Sequence, residues 1–153
     1  MRILVPVDGS DASLNALRYA LGLRDVHKEG IHIEVLNVQP SMRAAVAQFI
    51  DKHVIEEFHT EQGEEALIAA KAMVDEAQAD YDVSIVVGGV AEAIVEQAHE
   101  KACDAIVMGR SGLGGVAELL LGSTTNKVLQ PQISPLRLFT DRVSSRHHCP
   151  LAS

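Results

Sequence analysis

Apolar residues along this chain fall into short runs separated by amphipathic stretches. Ile3-Leu4-Val5-Pro6-Val7 is almost unbroken, as expected of a parallel strand covered on both faces. Asp8-Gly9-Ser10-Asp11 follows as a turn with helix-capping residues, and Leu14, Leu17 and Leu21 then form one helical stripe that fades between Gly22 and Asp25. Ile31 to Val38 alternates and then turns apolar, the pattern of a second strand, which Pro40 ends. From Ser41 to Asp80 the chain reads as a long, mostly helical connection. Its part Glu64–Gln78 has Ala66/Leu67, Ala70, Met73/Val74 and Ala77 on one side and carboxylates on the other, and Met42–Thr60 reads as a flap or an extra helix. Val83–Val87 predicts strand three, Ala91–Lys101 a helix with Ile94, Val95 and Ala98 inward, and Ala105–Met108 strand four. Ser134–Thr140 reads as a fifth strand interrupted by Arg137, and 141–153 as an irregular tail without periodicity.

Strands that alternate with helices and are apolar throughout predict a single α/β domain, residues 1–140. Its fold is an open parallel five-stranded sheet with helices on both faces. Ligands on such folds bind at the carboxyl ends of strands where strand order reverses. Those ends carry Asp8, Val38-Gln39, Gly88-Gly89 and Met108-Gly109.

Composition narrows the chemistry. The 153 residues carry 13 Lys+Arg against 21 Asp+Glu, a net charge of −8 that repels nucleic acid, and no basic run offsets it. Cys103 and Cys149 have no metal-ligand spacing, and Cys103 reads as a buried small residue. His53 and His59, among Glu56, Glu57 and Glu61, read as a solvated acidic face rather than a metal site, so no protein-held metal is expected. No apolar run approaches the ~18 residues that span a bilayer. The start reads as a strand and not a signal peptide, so the expectation is a cytoplasmic protein with no membrane partner.

The stretch Asp104–Val128 carries the most specific signal. Strand four ends at Gly109; Gly112, Gly114 and Gly115 follow, then an apolar run Val116–Leu121 and Gly122-Ser123-Thr124-Thr125. Glycines let a backbone approach phosphate with its N–H groups exposed, and hydroxyls at the head of a helix complete such a cradle. A Walker A loop is absent, and with it the lysine that activates a γ-phosphate. Gly112–Ala117 fits G-x-G-x-x-[GA], but on the fourth strand, the wrong context for a dinucleotide fold.

The spacing Gly109-x2-Gly112-x9-Gly122-Ser123 resembles the nucleotide-binding motif of the universal stress protein family. The opening Ile3–Ser10 and the strands Val35–Val38 and Ala105–Gly109 are similar to that family's too. The resemblance implies a Rossmann-like (adenine nucleotide alpha hydrolase-like) fold and an ATP site. Asp8 would lie near ribose and adenine, with Pro6, Val7 and Val38 bordering the base and Met108 beside the adenosine. Gly109 and Gly112 would face ribose and phosphates, and Gly122, Ser123, Thr124 and Thr125 would offer amides and hydroxyls to the phosphates. Mg2+ or Mn2+ would come with those phosphates. The resemblance further implies a homodimeric, stress-response regulatory binder with at most slow hydrolysis. No catalytic residue is assigned, and the alternatives are a weak ATPase or phosphotransferase, or a nucleotide-free interaction protein. The polar ending after Pro135 departs from the family pattern, which bears on the dimer more than on the pocket.

Overall fold

The structure, a computed structural model, describes residues 1–27, 30–109 and 137–140. Strands β1 (Arg2–Pro6), β2 (His32–Gln39), β3 (Asp80–Val87), β4 (Ala105–Met108) and β5 (Arg137–Thr140) alternate with helices α1 (Asp11–Gly22), α2 (Ala44–Ala47), α3 (Lys52–Glu76) and α4 (Val90–Glu100). A 3-10 turn, Leu23–Val26, extends α1. The sheet order is β3-β2-β1-β4-β5 and every pairing is parallel. The chain therefore builds outward from β1 through β2 to β3, then crosses back to lay β4 on the other side of β1.

Alternation along each strand divides the interior into two cores. Ile3, Val5 and Val7 on β1 and its end, Ile33 and Val35 on β2, and Ala105 and Val107 on β4 meet Ala16, Leu17 and Ala20 of α1 and Leu67, Ala70 and Val74 of α3. On the opposite face Leu4, Leu36, Ile106 and Met108 meet Ala91, Ile94 and Ala98 of α4. Helices thus cover both faces, which is why β1 and β4 read as continuous apolar runs and not as half-polar ones.

The long connection resolves differently from its expected pieces. There is a single turn of helix, α2, and then one 25-residue helix, α3, which takes in much of the Met42–Thr60 stretch as well as the segment from Glu64. Its apolar stripe is strong only in its second half, because the first half faces solvent, with Val54 and Phe58 about half exposed. Gly63 lets α3 settle onto β3: a Cβ there would meet the Ile85 side chain at 2.7 Å. The helix closes at Ala77, and Gln78 turns the chain in the left-handed region at φ 50°. Strand β3 starts at Asp80, three residues before the expected Val83, because Asp80-Tyr81-Asp82 pair in register with His32-Ile33-Glu34. Their polar character hid a segment that lies on the outer side of β2.

Leu17 is fully buried between sheet and helices, whereas Ile68 is 67% exposed on α3. Leu17→Ala is expected to cost about 2–5 kcal/mol through lost burial and the cavity left behind. Ile68→Ala should stay within about 0.5 kcal/mol. Urea unfolding followed by circular dichroism measures both.

Candidate functional site

The expected site residues that fall among the described ones gather at one end of the sheet, on three adjacent strands. Pro6, Val7 and Asp8 end β1, Val38 lies near the end of β2, and Met108 and Gly109 end β4. Strand order reverses between β1 and β4, so this is the end at which open α/β sheets leave a crevice. Gly112, Gly122, Ser123, Thr124 and Thr125 lie outside the described residues.

The turn after β1 is built by its own side chains. Asp8 Oδ1 accepts the Ser10 N–H at 3.0 Å, and Ser10 Oγ caps α1 by accepting the Ser13 N–H at 3.2 Å. Buried Ser13 donates its hydroxyl to the Ser10 carbonyl at 2.9 Å, and its Oγ accepts the Asp8 N–H at 3.4 Å. Asp8 is half-buried, with one carboxylate oxygen committed to the turn. Gly9 sits at φ +82°, where a side chain is strained, and the backbone of Ala66 on α3 lies 3.4 Å from where its Cβ would be.

Asn37 is the residue that sequence reasoning missed. Its side chain is buried, donates to the Val7 carbonyl at 2.8 Å and accepts from Gln39 Nε2 at 2.7 Å. Val7 in turn donates its N–H to the Leu36 carbonyl at 2.7 Å, so the ends of β1 and β2 are locked beyond the last ladder pair. An Asn inside the run Val35-Leu36-Asn37-Val38 was the available signal, since a buried amide in a strand must find backbone partners.

Burial separates the expected lining residues. Val7 and Met108 are each 1% exposed, in the α1/α3 core and the α4 core respectively, so they lie beneath the surface at the strand ends. Val38 is half-buried at the rim of the α4 core. Gly109 is buried against α1: a Cβ there would come within 2.2 Å of the Ala12 carbonyl oxygen. Its lack of a side chain is required by the first turn of α1 alone.

Two other expectations change. His59 is 7% exposed, not solvated. It turns inward on α3 with its ring edge-on to Phe58 at 5.8 Å, and its Nδ1 has no partner among the described residues. His53 stays at the surface, 3.5 Å from Glu57. Cys103 is half-buried beside the α4 core, and burial, with the Glu34 charge adding to it, pushes its thiol up to about 11. A cleft of about 670 Å³ runs along the first half of α3 past His53, Phe58 and Glu61, and its carboxylates suit it poorly to phosphate. Among the described residues no helix is long and apolar enough to cross a membrane.

Residues 1–132 match the profile of the universal stress protein family. The chain belongs to that family. Universal stress protein MJ0531 of Methanocaldococcus jannaschii is 33% identical over 136 residues, covering 88% of this chain and 79% of the relative. Among solved structures, hypothetical protein MJ0577 superposes with a TM-score of 0.69 at 25% identity, covering 94% of this chain and 97% of that one. A universal stress protein solved in complex with cAMP superposes at 0.64 with 23% identity, covering 94% and 98%; at that identity the likeness is one of fold.

Gly109→Ala is expected to destabilise the fold by about 1–3 kcal/mol or more, because the clash is with backbone and not with a movable side chain. Asn37→Leu should cost about 1–3 kcal/mol by stranding the Val7 carbonyl. Denaturant midpoints measure both. With its pKa raised, the Cys103 thiol stays neutral well above pH 8. Iodoacetamide at that pH should label it far more slowly in native than in unfolded protein, read by peptide mass mapping.

Proposed function

We propose that this universal stress protein binds an adenine nucleotide, ATP, at the carboxyl ends of β1, β2 and β4, and acts as a nucleotide-dependent regulator. The observation that carries this reading is the convergence of Asp8, Val38 and Gly109 where strand order reverses, in a chain with the family's glycine spacing. The residues present suit the ligand. Asp8 has one carboxylate oxygen fixed by the turn and a second to accept a ribose hydroxyl. Val38 offers a short apolar edge to a purine, with Pro6, Val7 and Met108 closing the floor beneath it. Gly112, Gly122, Ser123, Thr124 and Thr125 would take the phosphates, and Mg2+ or Mn2+ would arrive with them. That a family structure was solved with cAMP supports an adenine ligand.

The chemistry assigned to the site is binding. No lysine of the Walker type accompanies the glycines, so turnover is expected to be slow. A homodimer working in the cytoplasm fits the family resemblance and completes the proposal.

Titration of the purified full chain with ATP and Mg2+ by calorimetry should show saturable binding. Asp8→Asn keeps the turn acceptor and removes the charge, so it should weaken binding roughly 10–100-fold, the worth of a hydrogen bond to a charged group. Gly122→Val should abolish binding while circular dichroism stays unchanged. Absence of binding at millimolar ATP would overturn the proposal.

A further inference from the structure

At the opposite end of the sheet, the amino ends of β1, β2 and β3 carry a band of charge on the face that α4 covers. Register places Arg2 beside His32 and Asp80, and Leu4 beside Glu34 and Asp82. Arg2 Nη1 lies 2.8 Å from Glu34 Oε1. His32 Nδ1 lies 2.9 Å from Asp80 Oδ2, while its Nε2 lies 3.2 Å from Glu34 Oε1 and 3.3 Å from Asp82 Oδ2. The Glu34 side chain is fully buried, and its Oε2 has no hydrogen-bond partner among the described residues; neither has buried His32 Nε2. An ionised carboxylate in that position is costly unless something positive meets it.

We propose that this band is a binding site for a divalent transition-metal ion of the zinc class, held by His32 Nε2 and the carboxylates of Glu34 and Asp82. The three groups each offer one ligand atom, and those atoms lie within 4.8 Å of one another. Around a tetrahedral zinc with bonds of about 2.0–2.1 Å, neighbouring ligand atoms stand roughly 3.3 Å apart. The two distances from His32 Nε2, 3.2 and 3.3 Å, already match that edge. Asp80 supplies the outer hydrogen bond that metal-binding imidazoles use. Accepting from an Nδ1–H, it would hold the tautomer whose Nε2 lone pair is left for the ion. Without a cation, that lone pair faces only negative oxygens. The ion-paired groups hold three carboxylates against one guanidinium, an excess of two negative charges that a divalent ion cancels. Asp82 is 63% exposed, so the ion has a route in and a fourth position open to water. One imidazole with two carboxylates selects a borderline ion such as Zn2+ over soft Cu(I) or hard Ca2+.

The alternative is a charge cluster neutralised internally by Arg2 and a protonated His32. The two are separated in the full chain carrying H147A, H148A and C149A, which removes the histidine-cysteine run near the end of the sequence as a competing zinc ligand. Chelator-stripped protein titrated with zinc chloride should bind one equivalent by calorimetry, with a rise in thermal midpoint. Asp80→Asn should weaken that binding 10–100-fold and Asp82→Asn by more, with circular dichroism unchanged because both side chains are exposed. Cobalt(II) should give visible d–d bands that Asp82→Asn removes. No zinc binding in this background, or binding that Asp82→Asn and His32→Gln leave intact, would overturn the proposal in favour of the internal cluster.

Discussion

Strand β1 has a partner on each side. Parallel pairing joins it along its whole length to β2 and through Ile3 and Leu4 to β4, and its side chains alternate into two separate cores. From that constraint follow the helix layers on both faces, since a parallel sheet left open would expose Ile3 and Val5 or Leu4. The place where the chain leaves the sheet follows too. The reversal of strand order at β1 leaves Asp8 between diverging helical crossovers, and the buried Asn37 amide fixes that exit by holding the Val7 carbonyl.

What was legible in the sequence is what depends on hydrophobic periodicity. Strands β1, β2 and β4 were apolar runs, and Leu17 of α1 and Ile94 of α4 sat on clear stripes. Periodicity failed where side chains satisfy each other across strands. Asp80 and Asp82 look like loop residues until their register with His32 and Glu34 is known, and Glu34 looks like the solvent side of an alternating strand although it is fully buried. Those groups are 48 residues apart in the chain, so no local spacing reports them. His59 misled for a related reason: acidic neighbours in sequence lie on other faces of α3.

The candidate site was legible in part. The Asp8-Gly9-Ser10 turn could be read from residue types, because an Asx-type acceptor, a positive-φ glycine and a serine cap each leave a local signature. Asn37 could not be assigned, since its partner lies on another strand. The two ends of the sheet carry different chemistry. His32 and Val38 are six residues apart on β2, roughly 20 Å along an extended strand. An ion at one end and a nucleotide at the other would not touch.

Gly109 bears on how a glycine signature is interpreted across a family. Its missing side chain is explained by the Ala12 carbonyl packed against it, so selection for an intact α1 would retain the first glycine of the motif in a lineage that had abandoned nucleotides altogether. As a diagnostic letter that position reports architecture. Any inference of lost or kept ligand binding from relatives should weight the later glycine and hydroxyl positions, whose retention the α1 contact does not explain.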